Sequence, residues 1–383
     1  MRHAEVTLDE RFRFVLGSGE RAMRTWTTAA VATLMIVVAA CGSPGGARGA
    51  AASLEKGFPI GILLPESKTS RYETFDRPLL TQRLKQLCPN CEVLYQNASQ
   101  DSAAQQSQAE ALVVSGAQVL ILDAVDSTAA GAIVNDAKSH GVAVVAYDRL
   151  ASGPVDCYVS YDNERVGQVQ GTALLSALKA GGDPKRSKIV MINGSPTDPN
   201  AGDLKRGAHS VLDGQVAIGQ EYDTPDWSPD RAQQEMEQAI TALGREAIIG
   251  VYAANDGTAA GAIAALKGAG FATLPPVTGQ DAELAAIQHI LAGEQYMTVY
   301  KSIKREARIA AQMAIAAATG EKCRSKPTQV VSNGSVEVPS VLLEPVAVTR
   351  SNVAGVIIAD GFYTAAEICA TEYRQACRQA GIS

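Results

Sequence analysis

VAVVAYDRL, residues 142–150, is an apolar run that ends abruptly on an adjacent acid and base. Val142 to Ala146 is short, uninterrupted and rich in β-branched residues, which is the pattern of a strand buried on both faces. Similar runs recur at FPIGILL, CEVLYQ, AQVLILDAV, KIVMING, IIGVYAAND and PPVTGQD. Longer amphipathic stretches such as AAQQSQAEALVVSG and DRAQQEMEQAITALG separate them. Strand and helix in alternation predict βαβ units, hence parallel sheets covered by helices. The 383 residues are enough for about two such domains.

In a parallel sheet of this kind ligands bind beyond the carboxyl ends of the strands. The informative residues are therefore Asp123 and Asp126, Asp148-Arg149, the segment from Asn193, Asn255-Asp256 and Gln280-Asp281. Asp123 and Asp126 are read as helix caps, a common use of Asp after a strand. Arg149 has no use as an N-cap, so Asp148-Arg149 is read as part of a site. Carboxylates accept hydrogen bonds, Arg and Lys donate them, and Asn does both. That mixture suits a ligand covered in hydroxyls, and Tyr72 and Trp227 offer flat apolar faces for a sugar ring.

Catalytic chemistry finds less support. The histidines His3, His140, His209 and His289 lie away from the strand ends, and no zincin, nucleophile-elbow or P-loop motif is present. No metal, cofactor or enzymatic activity is expected. Paired carboxylates leave a glycosidase as a weak alternative. A net charge of −6 gives no reason to expect nucleic acid.

The N-terminus reads as an export signal. From Met23, Arg24 precedes an apolar stretch, Ala29–Ala40, too short for a comfortable membrane span, which closes on Val38-Ala39-Ala40-Cys41-Gly42. That ending resembles a bacterial lipobox, so residues 1–41 are expected to be signal and lipobox, with Cys41 lipidated. Glu5, Asp9, Glu10 and Glu20 suit a basic leader poorly, which makes Met23 the expected start. Residues 42–57, rich in Gly, Ala and Ser, read as a flexible tether. The expected location is outside the cytoplasm, on the outer face of the cell membrane.

Beyond Cys41 the candidate disulfide cysteines are Cys88, Cys91, Cys157, Cys323, Cys369 and Cys377, for which fifteen pairings exist. CPNC at 88–91 can close a tight loop. Cys369 and Cys377 would lie roughly 12 Å apart on a straight helix, so either the chain bends between them or they pair elsewhere. Cys157 with Cys323 remains if both local pairs form.

Eight motifs in order carry a resemblance: YDR at 147–149, YVSYDNERVGQVQG at 158–171, NGSPTDPNA at 193–201, WSPDRA at 227–232, AANDGTAAGAI at 253–263, GQDAELAAI at 279–287, MTVYKSI at 297–303 and VPSVLLEPVAV at 338–348. From Pro59 to Phe362 the chain resembles the type I periplasmic sugar-binding proteins of bacterial ABC importers. The resemblance implies two doubly wound parallel-sheet α/β lobes joined by a three-crossing hinge. The crossings fall near SYDNE, TVYKS and LLEPVAV, giving a first lobe of 58–162 plus 302–340 and a second of 163–301 plus 341–383. It further implies sugar contacts at Arg71, Asp148, Arg149, Asn200, Asn255, Asp256, Asp281 and Lys301, with Trp227 stacking, and Asp256 orienting Asn255 or capping a helix. Tyr72 stands where xylose-binding members carry Trp. The implied ligand is D-xylose or a related aldose, and the implied partner is an importer permease. A chemoreceptor or sensor kinase is the alternative partner. Repressors that share the two-lobed fold carry a helix-turn-helix where this chain has a signal and tether.

Overall fold

The computed structural model describes residues 52–321 and 327–382. The expected signal, lipobox and Cys41 lie outside the described residues, as does Cys323.

The first half alternates as the apolar runs require. Strands β1 (Pro59–Leu64), β2 (Glu92–Asn97), β3 (Val119–Leu122), β4 (Ala143–Tyr147) and β5 (Cys157–Tyr161) are interleaved with helices α1 (Arg77–Leu87), α2 (Ser102–Val114) and α3 (Ala130–Ser139). The chain continues through α4 (Asn163–Gly181), β6 (Lys188–Asn193), α5 (Pro199–Leu212), β7 (Ala217–Asp223), α6 (Pro229–Leu243), β8 (Ile248–Ala253), α7 (Asp256–Gly268), α8 (Leu284–Ala292) and β9 (Met297–Tyr300). After α9 (Ile303–Ala318) come β10 (Gln329–Ser332), β11 (Glu337–Leu343) and β12 (Val346–Thr349), and then short helices α10 (Ala365–Ile368) and α11 (Arg374–Gln379).

One sheet has the order β10-β11-β5-β4-β3-β1-β2 and is parallel except for β10. β3, β4 and β5 are buried along their whole length because helices cover both faces. α1 and α9 close one apolar layer around Ile60, Ile62 and Tyr147, while α2 and α3 close the other around Leu120 and Val144. The second sheet has the order β7-β6-β8, followed by a parallel bridge at Val251–Val277 and the antiparallel pair β9-β12. PPVTGQD, expected as a strand, contributes only that bridge, since Pro275 and Pro276 have no amide hydrogen to give a ladder. Between α4 and α5 the backbones touch. A methyl carbon on Gly167 would lie 2.0 Å from the Leu204 carbonyl oxygen, and one on Gly207 2.0 Å from that of Glu164.

The chain passes between the sheets three times: at Asp162, at Lys301-Ser302 and at Glu344-Pro345. β11 stays in the first sheet to Leu343, past the boundary expected at 340, because Leu343 pairs with Tyr161 and accepts from the Asp162 amide at 3.0 Å. In each sheet the winding direction reverses, at β1/β3 and at β6/β8.

Two disulfides follow local geometry. Cys88–Cys91 closes its loop with Cα atoms 5.3 Å apart. Cys369–Cys377 forms with Cα atoms 5.9 Å apart, because α10 ends at Ile368 and the chain turns before α11. The expected tether stops short of residue 57. Ser53 to Gly57 form a turn, closed by Gly57 N–H to Ser53 O, with the Asn90 amide donating to the Glu55 carbonyl at 2.8 Å.

Candidate functional site

The strand ends converge on one cleft lined by Thr69, Arg71, Tyr72, Asp148, Arg149, Asn163, Asp198, Asn200, Leu204, Trp227, Asn255, Gln280, Asp281 and Lys301. It takes in about 320 Å³ of space, open solvent included, and side chains reach across it.

VAVVAYDRL ends in a tight turn. Arg149 N–H donates back to Tyr147 O at 2.6 Å, and Asp148 between them has φ 57°. That left-handed conformation is one Asp tolerates better than most residues. The turn sends the two side chains to different partners. Asp148 accepts from Arg71 Nη1 at 3.1 Å and lies 4.0 Å from Lys301 Nζ. Arg149 Nε lies 2.9 Å from Asp198 Oδ2, and its Nη atoms donate to Ala124 O at 3.2 Å and to the Tyr72 hydroxyl at 3.3 Å.

Arg71 is the hub of the first wall. Asp76 grips it at two points, Nε at 3.0 Å and Nη2 at 2.7 Å, and Glu306 of α9 adds a contact at 3.3 Å. Tyr147 donates its hydroxyl to the same Asp76. Burial would lower the Arg71 pKa, but Asp148, Asp76 and Glu306 hold it well above the usual range. Burial would likewise raise Asp148, yet the charges of Arg71, Lys301 and Arg149 keep it below the usual carboxylate range. Glu306 is pushed up to about 8 by burial and by Asp148, against the pull of Arg71 and Lys301.

The second wall is held as firmly. Asn200 Nδ2 reaches the Asp148 carbonyl oxygen at 3.1 Å, and Lys301 sits 3.1 Å from Asp281. Asn255 caps α7 through Oδ1, which accepts from Thr258 N–H at 2.9 Å. Trp227 donates Nε1 to Asp198 at 3.2 Å, and its ring lies so close to Gly194 that a methyl carbon there would meet it at 2.0 Å. Trp227 has φ 52°, its neighbour Asp226 60°, Asp281 93° and Ala282 51°. Backbone strain of this kind is held where surrounding structure fixes it, typically at ligand sites.

Every residue expected to touch the ligand lines this cleft except Asp256. Asp256 instead points behind the wall, accepting from Gln295 Nε2 at 2.8 Å and from Glu283 N–H and the Thr298 hydroxyl at 2.9 Å each. It braces the strand ends that carry Asn255 and Asp281. Asp126, expected as a helix cap, accepts from the Thr128 and Ala129 amides in the turn just before α3, whose N-cap is Ala129. Asp123 is not a cap. It is fully buried 3.6 Å from Arg149, and burial together with Asp148 holds its pKa well above normal.

The cleft also gathers Thr69, Asn163, Asp198, Leu204 and Gln280, which the sequence did not single out as contacts. Asp198 caps α5: its Oδ1 accepts from Asn200 N–H at 2.9 Å while its Oδ2 faces Arg149.

Comparison with known proteins places this geometry. The family model for the periplasmic binding protein domain matches residues 60–322. The chain belongs to the periplasmic binding protein family. This binding protein is 34% identical over 319 residues to the D-xylose-binding periplasmic protein of Escherichia coli, covering 82% of this chain and 93% of that one. It is 32% identical over 327 residues to the multiple sugar-binding periplasmic receptor ChvE of Rhizobium radiobacter, covering 81% and 92%. Among solved structures, an ABC transporter solute-binding protein of Clostridium phytofermentans with bound β-D-glucose superimposes with a TM-score of 0.76. Its identity is 29%, with 81% of this chain and 99% of that chain covered. The parallel α/β sheets expected from the alternating pattern, and the type I fold that the resemblance implied, are thus observed, with helices on both faces of mostly parallel sheets.

Proposed function

We propose that this binding protein captures one monosaccharide, D-xylose or a related aldose, between two closing lobes and delivers it to an ABC importer. The observation that carries the reading is the convergence of Arg71, Asp148 and Arg149 from the first sheet with Asn200, Trp227, Asn255, Asp281 and Lys301 from the second on one small polar cleft. We take the lobes to divide at the three crossings, and sugar contacts to come from these residues and Tyr72. A sugar touching both lobes binds the closed form better and shifts the population toward it. The permease then reads the closed form.

Calorimetry with a panel of aldoses tests the reading. At least one pentose or hexose should bind with micromolar or tighter affinity, a range that several charge-assisted hydrogen bonds support after ordering costs. A protein that binds none of them overturns it. A multiple-sugar receptor among the relatives favours a second role, presentation of the closed form to a sensor.

The lipobox-like sequence before Cys41 supports anchoring to the outer face of the membrane. Cells fed a labelled fatty acid should yield labelled protein with Cys41 as its first residue, and Cys41→Ala should carry no label. Label retained by that variant refutes the anchor.

A further inference from the structure

The charged residues of the cleft are already engaged with one another, but two neutral amides are not. Asn163 and Gln280 line the cleft, and each is 4% exposed. Among the described residues, neither Asn163 Oδ1 nor Gln280 Oε1 has a hydrogen-bond partner. A buried amide oxygen left unpaired is costly, so such atoms in native proteins call for an explanation.

Both side chains are carried on fixed backbone. The Gln280 carbonyl accepts from Asp256 N–H at 3.0 Å, and on either side Val299 N–H donates to Gly279 O at 3.1 Å while Asp281 N–H donates to Val299 O at 2.9 Å. Asn163 opens α4 directly after Asp162, whose side chain caps the helix through Arg165 N–H at 2.9 Å. The Asn163 amide nitrogen has only a long contact, 3.4 Å to the Ser160 hydroxyl. Fixed backbone with an unsatisfied polar tip is the arrangement of a pre-organised ligand contact.

We propose that Asn163 and Gln280 are direct sugar contacts, each meeting one ligand hydroxyl, and that they set which hydroxyls the cleft demands. The inference rests on the sugar-binding reading above. A hydroxyl both donates and accepts, so it satisfies the amide in either orientation. Unlike the charged residues, these amides are not needed to neutralise a neighbour. Their contribution is to selectivity: a sugar lacking the matching hydroxyl leaves the amide buried and unpaired, and hydrogen-bonding sites reject such analogues strongly. Asn163 lies at the first crossing and Gln280 beyond the Val277 bridge of the second sheet, so each reads its own part of the ring.

The test pairs side-chain deletion with hydroxyl deletion. Gln280→Met and Asn163→Leu keep approximate volume without the amide, and Asn163→Ala guards against a steric effect of Leu. The best-bound aldose of the panel and its set of monodeoxy analogues are titrated into each protein, with thermal unfolding as the check on folding. Each variant should bind the parent sugar roughly tenfold or more weakly, on the scale of one lost buried hydrogen bond. For each variant one deoxy analogue should then lose no further affinity, although it binds the unaltered protein poorly. Folded variants with normal sugar affinity overturn the inference alone, as does an unchanged ranking of deoxy sugars in a weakened variant. An unaltered protein that binds no aldose overturns both the inference and the reading beneath it.

Discussion

Arg71→Met is expected to lower the unfolding free energy by about 3–5 kcal/mol, the usual cost of removing one partner from a buried charge pair. Arg71 faces Asp76, Asp148 and Glu306 at 2.7–3.3 Å, and all four side chains are almost wholly buried. Methionine fills much of the stem volume, so the loss reports the stranded carboxylates rather than a cavity. Urea unfolding at neutral pH measures it, and a loss below about 1 kcal/mol would show that the cluster does not depend on Arg71. A second change should return part of the loss. Asp148→Asn removes one of the stranded carboxylates, 3.1 Å from Arg71, so the double variant should be less destabilised than the sum of the single ones, as contacting residues are not additive.

The same glutamate predicts a pH dependence. Glu306 is pushed up to about 8 in the folded protein, whereas an unfolded glutamate titrates near 4.3. Between those values the folded state holds a proton that the unfolded state has released. This group therefore stabilises the fold at low pH and loses that effect as pH rises toward 8, by up to about 1.4 kcal/mol per pH unit. Glu283, pushed up to about 7 by burial and Asp281, acts in the same direction. Asp148 acts oppositely, because its depressed pKa contributes stability that is lost only as pH falls below the ordinary carboxylate range. Unfolding measured from pH 5 to 9 should show a falling contribution from Glu306 that Glu306→Gln abolishes. An unchanged slope in that variant would assign the proton elsewhere.

What the sequence revealed depended on range. The strands were legible because each is a short apolar run cut off by polar residues, and the rule that ligands sit at carboxyl strand ends then pointed to Asp148, Arg149, Asn255 and Asp281. The partners that hold those residues were not legible. Glu306 meets Arg71 across 235 positions of sequence, and Asn200 meets Asp148 across 52. No periodicity records such encounters. Direction was also hidden: Asp256 follows Asn255 on a strand end, yet the first turn of α7 carries its carboxylate away from the cleft to Gln295 and Thr298. Asp123 was misread for the opposite reason. Its position after β3 suits a cap, but it is buried beside Arg149, a contact made only when β3 and β4 are neighbours.

The adjacent acid and base that close VAVVAYDRL should carry much of the sugar affinity, and the structure changes how that is best tested. Asp148 has φ 57°, so Asp148→Ala would add backbone strain to the loss of the carboxylate. Asn tolerates that conformation and keeps the shape, so Asp148→Asn isolates the charge. Arg71 keeps Asp76, and Lys301 keeps Asp281, so the fold should persist. A hydroxyl donating to a charged oxygen loses about 1.5–3 kcal/mol on this change, which is roughly ten- to a hundredfold in affinity. Arg149→Lys preserves a positive charge facing Asp198 but gives up the planar fork, which now reaches Asp198, Ala124 O and the Tyr72 hydroxyl together. A weakening of at least tenfold is expected here too, with a faster release of sugar, because Arg149–Asp198 ties the first sheet to the second wall. Asp123→Asn is the control. Burial and Asp148 push its carboxyl well above the usual range, and it does not line the cleft, so the neutral amide should leave sugar affinity nearly unchanged. Calorimetry on the three variants, with unfolding curves to confirm that each is folded, decides the matter. Normal affinity in both Asp148→Asn and Arg149→Lys would mean that the pair serves only to knit the two walls together, and the sugar would have to be held by Arg71, Tyr72 and the second wall.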